Sequence, residues 1–502
     1  EGASMTQAGG PAPGNGAERN KWLILAAVML GTIMGPLDAS VVNTVLPDIT
    51  RFFKTDISIA QWVPTIYLLT ISCLILLYGR LGDMIGYKKI FIYGLAAFTV
   101  TSVLCGFSQS IWMLIVFRAL QGLAAGMMMA VGFAIVAAAF PPLERGKAMG
   151  IFAISIAVGL GLGPTLGGLI AENLSWRYVF FINVPIGIVA VLWGQRIIPK
   201  GAAKPGQRLD WPGALLALVF LSSLLLYANR GQDWGWLSTS SIVLLVVAVV
   251  SGAAFVLVEK RSAQPMLNLA LFNNRRFSFA TLSALLSFMA LFAVIFLTPF
   301  YLVFVLNYSI LKVGLVMAAS PVATLFIAPA SGILSDRIGT RGLAFCGMAI
   351  TALGLYFMSG LDSSASAWDV IWRLTVAGAG MGMFQSPINS AVMGSVPPWH
   401  LGIASGILAA VRNVGMVLGL AVAGAVLYNV APAAASLRPG AFSPADIQEF
   451  LDGLRWAYIS GLALACLAAV TSLLAVDRKG QALTGGPPPG AGIPPGPQAG
   501  ES

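Results

Sequence analysis

The sequence carries little charge for its length. Only 10% of its 502 residues are Asp, Glu, Lys or Arg, whereas soluble proteins carry about a quarter, and 58% are hydrophobic. This composition excludes an ordinary soluble protein and a disordered chain. It also excludes a nucleic-acid binder, because the net charge of +10 comes from 29 basic and 19 acidic residues spread thinly, without a basic patch. The sequence therefore predicts an integral membrane protein.

Residues that carry catalytic or metal-binding chemistry are scarce. The sequence has one His, and its four Cys lie in apolar runs, which favours packing as small hydrophobic side chains over disulfide formation or metal ligation. It contains no phosphate-binding glycine loop, metal-ligand cluster or nucleophile motif. We therefore predict that the protein is not an enzyme and needs no cofactor. Any transport must therefore draw its energy from an ion gradient or a partner, or proceed without an energy source.

Apolar runs of about 20 residues, long enough to cross a bilayer core about 30 Å thick, recur along the chain. We predict about fourteen spans, at residues 22–46, 60–79, 90–108, 111–138, 148–171, 178–197, 212–230, 238–258, 278–303, 312–334, 342–360, 369–393, 402–428 and 455–476. With the N-terminus inside, 19 basic residues fall in inner segments, seven in outer segments and three within spans. This bias predicts that both termini are cytoplasmic, in what we expect to be a bacterial cytoplasmic membrane.

The first and second halves of the predicted membrane region share repeated sequence motifs. Segment 79–88 recurs at 332–341, an offset of 253 residues, and Gly159 and Gly163 recur as Gly415 and Gly419. Six spans in each repeat leave room for two helices between them, and an even number gives both repeats the same topology. The predicted organisation is a disordered N-terminal segment with a cloning remnant (1–20), a six-helix bundle (21–200), two inserted helices (201–262), a second six-helix bundle (263–477) and a disordered Pro/Gly-rich tail (478–502).

Five motifs occur in order along the first repeat. They occupy residues 37–47 in the first span, 79–89 after the second, 118–122 in the fourth, 159–168 in the fifth and 176–187 at the start of the sixth. On these motifs the chain resembles the fourteen-span drug:proton antiporter branch of the major facilitator superfamily. The resemblance implies an all-α polytopic fold of two six-helix bundles with two inserted helices. It also implies alternating access and export of lipophilic compounds in exchange for protons.

Asp38 is the only acid well inside a predicted span. An ionised carboxylate there costs a few kcal/mol, so it is a candidate to carry protons, and the alternative is a fixed structural ion pair. Arg118 enters the fourth span to a depth close to that of Asp38. The resemblance implies that this arginine takes part in proton coupling, and the alternative is a structural tie to backbone carbonyls.

Two further motifs are typical of moving helices. By resemblance, the loop after the second span and its counterpart in the second repeat form a conformational latch of the outward-open state. The alternative is a basic membrane anchor. The residues concerned are Gly79, Arg80, Asp83, Gly86, Lys88 and Lys89, with Asp336 and Arg337 in the second repeat. Small residues at helical spacing in the fifth span permit close helix packing and a kink, and by resemblance mark an antiporter; they are Gly159, Gly163, Pro164, Gly167 and Gly168.

Polar residues within other spans are candidates to line a substrate cavity, although each could equally join helices. They are Asn43, Tyr67, Gln121, Gln385, Asn389, Arg412 and Asn413. We expect the substrate to be a lipophilic compound, cations included, with protons as the coupled ion. The alternatives are a lipid or lipid-linked molecule, reached from the surrounding membrane lipids, and nutrient uptake by proton symport. The identity of an accessory protein stays open.

Overall fold

The computed structural model describes residues 15–55, 57–60, 62–200, 209–262, 265, 267, 269–397, 400–431 and 444–475. The predicted cloning remnant and the whole of the predicted tail lie outside these residues. Fourteen long helices form the described part: α1 Asn15–Phe53, α2 Trp62–Ile85, α3 Tyr87–Gly106, α4 Ile111–Ala139, α5 Arg145–Asn173, α6 Asn183–Ile197, α7 Trp211–Trp234, α8 Thr239–Arg261, α9 Arg275–Phe300, α10 Ala319–Ile338, α11 Thr340–Met358, α12 Ala367–Gly394, α13 Leu401–Val430 and α14 Pro444–Leu474.

Thirteen of these helices, some together with a short neighbouring turn, are long and apolar enough to cross a membrane. The remaining one, α12, has 28 residues, but Asp369 and Arg373 near its start and several polar residues lower its hydropathy. The predicted all-α polytopic fold is confirmed, since the described residues form helices and no strand. The predicted tenth span is interrupted, because a turn at Ala318 separates the helix Ile310–Met317 from α10.

The repeat in the sequence reappears as repeated backbone geometry. Gly86 separates α2 from α3 and Gly339 separates α10 from α11, and their φ angles are 96° and 90°. Residues with a side chain rarely adopt such angles, so each turn requires glycine. In both repeats two helices of the bundle therefore reverse direction over a single residue.

The two halves pack through helices α2 and α13 on one side and α5, α10 and α12 on the other. At the first of these contacts a Cβ atom added to Gly79 would lie 2.6 Å from the carbonyl oxygen of Gly402. Any larger residue would push the halves apart there. The inserted helices α7 and α8 pack against each other, and α7 also contacts α2 and α13.

The bundle has two ends, which we name by residues that lie there. At the Asp83 end, Lys21 forms an ion pair of 2.7 Å with Glu144, and Asp83 and Asp336 bind the starts of helices. At the opposite Trp176 end, the ring of Trp176 contacts those of Phe52 and Phe53 near the end of α1.

Candidate functional site

A buried ion pair lies inside the first half of the bundle. Asp38 in α1 and Arg118 in α4 have fully buried side chains, and the guanidinium binds the carboxylate directly. The other carboxylate oxygen, Oδ1, accepts hydrogen bonds from Gln121 Nε2 at 3.2 Å and from Asn183 Nδ2 at 3.1 Å. The structure thus places Arg118 at the depth of Asp38, as the sequence indicated, and adds two neutral donors.

Arg118 also has partners other than Asp38. Its Nε donates to the carbonyl oxygen of Val63 at 3.2 Å, and a terminal nitrogen donates to Gln121 Oε1 at 2.7 Å. Its guanidinium carbon lies 4.0 Å from the centre of the Tyr67 ring, a cation–π contact. Both arrangements considered from the sequence, an ion pair and a tie to a backbone carbonyl, occur together.

Neighbouring helices hold this cluster in place. Gln121 Nε2 also donates to Ser102 Oγ in α3 at 2.8 Å, and the Tyr67 hydroxyl donates to the carbonyl oxygen of Gly35 in α1 at 3.1 Å. Sequence reasoning did not select Ser102 or Asn183 as site residues. Asn183 had a signal, since it stands inside the motif that opens the sixth span.

The small-residue face of α5 packs on the helix that carries Asp38. Gly159, Gly163 and Gly167 lie against residues 33–44 of α1, and Ser40 Oγ donates to the carbonyl oxygen of Leu160 at 2.8 Å. Gly168 is buried, and the side chain of Pro164 lies outside the described part of the chain. The fifth-span glycines therefore set how closely α5 approaches the Asp38 helix, and their part in antiport stays a prediction.

We expect Gly163→Ala to lower stability by about 1–3 kcal/mol, the usual cost of overpacking. An added Cβ would overlap Ser40 and lie 2.9 Å from its carbonyl carbon. Thermal unfolding of the purified protein measures the effect. Gly342→Ala is the matched control, because nothing lies within 4 Å of its added Cβ. Equal melting temperatures for the two variants would contradict the tight packing of α1 on α5.

Two carboxylates join the halves at the Asp83 end. Asp83 Oδ1 accepts from the backbone N–H of Gly402 at 2.8 Å and Oδ2 from that of Ile403 at 3.0 Å, at the start of α13. Asp336 binds the start of α5 in the same way, accepting from Gly146 N at 2.9 Å and Lys147 N at 3.0 Å. Each negative charge thus lies at the positive end of a helix in the opposite half. We call these contacts the two cross-half caps.

The remaining residues of the predicted latch have separate surroundings. Arg80 is buried within electrostatic range of Asp83 and of Glu259 in α8, so the inserted helices adjoin this loop. Lys88 Nζ donates to the carbonyl oxygen of Gln195 in α6 at 2.7 Å. Lys89 and Arg337 are exposed.

Comparison with known proteins agrees with this architecture. The family model described as the Major Facilitator Superfamily matches residues 28–420 and 280–494. The chain belongs to the major facilitator superfamily. It is therefore a member of a family of membrane transporters rather than of enzymes.

Several relatives of this superfamily member are named for what they transport. "Riboflavin transporter RibZ" of Clostridioides difficile is 34% identical over 405 residues, which cover 80% of this chain and 87% of the relative. "Multidrug resistance protein Stp" of Mycobacterium tuberculosis is 34% identical over 410 residues, covering 82% and 76%. "Multidrug export protein EmrB" of Escherichia coli is 29% identical, covering 80% and 79%. Relatives of this transporter thus include multidrug exporters.

A solved structure shares the fold. It is titled as the human organic anion transporter MFSD10 (TETRAN), and it matches with a TM-score of 0.61 and 15% sequence identity, covering 89% of this chain and 99% of that one. At this sequence identity the match supports only the fold of this chain, and not its substrate.

The residues predicted to line a cavity fall into three groups in the structure. Tyr67 and Gln121 belong to the Asp38 cluster. Asn43 is exposed and lies about 140° around α1 from Asp38, so it does not join that cluster. The others are buried in α12 and α13 of the second half, namely Gln385, Asn389, Arg412 and Asn413. Their roles in substrate binding stay predictions.

Proposed function

We propose that this transporter exports lipophilic compounds across a bacterial cytoplasmic membrane in exchange for protons, by alternating access of its two halves. The observation that carries the proposal is the Asp38–Arg118 pair, a carboxylate and its counter-ion wholly enclosed at membrane depth. Such groups are costly inside a bilayer and mark ion or proton pathways. The multidrug exporters among the relatives support export as the direction.

The hydrogen bonds around Asp38 suggest how a proton is coupled to movement. Three donors, from Arg118, Gln121 and Asn183, favour the ionised carboxylate. Protonation of Asp38 would remove its attraction for Arg118, which keeps Val63 and Tyr67 as partners. In the proposed cycle, proton uptake from outside breaks the ion pair and release to the cytoplasm restores it. The neutral donors hold the carboxyl group in place meanwhile.

The cross-half caps suggest which state the structure represents. The bias of basic residues supports a cytoplasmic position for the Asp83 end. With both caps formed, α13 and α5 are held against the opposite half at that end. We infer that this arrangement is closed to the cytoplasm, and that opening requires both caps to break.

Transport into inverted membrane vesicles tests the proposal. The probe is the lipophilic fluorescent dye pyrenebutyrate, with an imposed proton gradient that is acidic inside. We expect dye accumulation that collapses when a protonophore is added, because proton release drives the cycle. Vesicles without the protein are the control. Dye movement that equilibrates at the same rate with and without the gradient would contradict antiport.

A further inference from the structure

Arg412 is a buried cation inside the second half of the bundle. Only 3% of its surface is exposed, and it follows Leu401 by eleven residues, which places it about 16 Å up α13 from the Asp83 end. Among the residues that the structure describes, none pairs with its guanidinium, whereas the buried Arg118 has Asp38. Within the described residues the charge of Arg118 is cancelled, whereas that of Arg412 is not.

The helices that pack around α13 carry their acids at their ends. Asp83 in α2 binds Gly402, ten residues before Arg412 and thus about 15 Å away along the helix. Asp369 lies in the first turn of α12, at the Trp176 end, where it caps that helix with Ser366. The described acids of α14 lie within its first nine residues. No described acid on these helices is therefore placed to neutralise Arg412.

An unpaired arginine at this depth of a membrane is costly. The nitrogens of Arg412 have no described hydrogen-bond partner, yet they are not among the fully enclosed unsatisfied atoms, as Nδ2 of neighbouring Asn413 is. The guanidinium nitrogens thus retain a small accessible surface. A ligand that reaches this surface can supply the missing negative charge.

Neutral hydrogen-bonding groups lie at a similar depth. Gln385 and Asn389 in α12 are 8% and 7% exposed, and neither has a described side-chain partner. Gln385 precedes Gly394 by nine residues, about 14 Å from the same end of the bundle. The flanking residues of α13, from Ile407 to Ala410, are buried and apolar. An anion bound here would carry an apolar body.

We propose that Arg412 binds the anionic group of the transported compound, a carboxylate, sulfonate or phosphate on an apolar body. The inference rests on the proposed transport function and narrows its substrate class. A guanidinium suits such groups because its parallel N–H groups match two oxygens of a carboxylate or phosphate. Asp38 does not oppose an anion, since Arg118 neutralises it.

Equilibrium binding to the full chain in phosphatidylcholine nanodiscs, without a gradient, tests the site. The probes are pyrenebutyrate, pyrenebutanol and pyrenebutylamine, which share one apolar body, and energy transfer from tryptophan reports binding after subtraction of empty discs. We expect pyrenebutyrate to bind about tenfold more tightly than the other two, the value of one charge-assisted contact. Arg412→Gln should abolish this preference, and Arg412→Lys should retain most of it because the charge remains.

Arg455→Gln is the matched control, since Arg455 is exposed on α14, and it should leave the preference unchanged. Equal affinities for the three probes in the wild type, no binding of any of them, or an unchanged preference in Arg412→Gln would overturn the proposal. Phosphatidylglycerol in the discs distinguishes the source of the anion. If it abolishes the pyrenebutyrate preference, lipid phosphate occupies the site and the solute assignment fails.

The binding measurement is independent of proton coupling. Retained preference together with gradient-independent transport would overturn the antiport mechanism and leave the anion site standing. Gradient-driven export together with equal probe affinities would overturn the anion site and leave the antiport mechanism standing.

Discussion

Asp38→Asn is expected to reduce gradient-driven export by about 100-fold or more, the scale at which a positioned proton carrier contributes. Asparagine fills the same space and still accepts hydrogen bonds from Gln121 or Asn183, but it cannot bind and release a proton. The substitution also leaves Arg118 without its counter-ion, because the two side chains are wholly buried against each other. Breaking a buried pair in this way costs about 3–5 kcal/mol, so the melting temperature should fall as well.

A double variant separates stability from coupling. In Asp38→Asn with Arg118→Gln both charges are removed, so no buried charge is left uncompensated and we expect most of the lost stability to return. Export should stay lost, because no titratable group occupies the site. Gradient-driven dye transport in inverted vesicles and thermal unfolding of the purified protein measure the two effects.

Asp48→Asn provides the control for this experiment. It is the same substitution in the same helix, but the ion pair of Asp48 with Arg51 is 3.5 Å long and largely exposed. Such pairs contribute about 0–1 kcal/mol, so transport and stability should remain near wild type. Export by the double variant at the wild-type rate would show that Asp38 is not the proton carrier.

The sequence located the charged residues well because a membrane makes them rare. Only one acid stood deep within a span, and counting residues along two helices was enough to place Arg118 near it. The segments of the predicted latch recur in the sequence, and the positive φ angles of Gly86 and Gly339 repeat with them. These features depend on distance along the chain, and helix rise converts that distance into depth.

The face of a helix on which each side chain lies could not be predicted from the sequence in the same way. A span that faces lipid on one side and protein on the other is apolar all round, so its pattern does not show which face is buried. For this reason Asn183 and Ser102 were missed, and Asn43 was grouped with residues it does not contact. The repeat was also incomplete. Arg373 lies 255 residues after Arg118, close to the offset of the repeat, but it stacks on Trp372 at 5.2 Å and is only partly buried.

The partners of the latch acids required the structure as well. The sequence did not identify the helix whose start Asp83 binds, and the fold shows that this helix belongs to the other half. Asp336 then repeats the contact in the reverse direction. The two caps therefore act on the same boundary, and their removal has a predictable effect on the opening of the Asp83 end.

Asp83→Asn combined with Asp336→Asn is expected to open that end. Each carboxylate accepts two backbone N–H groups at a helix start, and asparagine offers one oxygen and no charge. A cap of this kind is worth about 1–2 kcal/mol. Losing both should shift the equilibrium between closed and open states roughly 10- to 1,000-fold, and export should fall because the closed state becomes scarce.

Spin labels placed on the two halves measure this opening. Lys89 at the start of α3 and Arg341 at the start of α11 are exposed, so cysteines can replace them in a background without the native cysteines. Pulsed electron–electron double resonance should give one short distance between the two labels in the otherwise unchanged protein. In the double variant this distance should be mainly longer. Each single variant should give a mixture, because one cap remains.

Asp369→Asn is the matched control for the caps. Asp369 also binds a helix start, accepting from the backbone and hydroxyl of Ser366, but both residues belong to the same helix at the opposite end of the bundle. Its loss should weaken the start of that helix without changing the label distance. If the double variant keeps the short distance, the caps only stabilise their helices. If the distance lengthens in the double variant and not in Asp369→Asn, the energy of the caps acts on the boundary between the halves, as a latch requires.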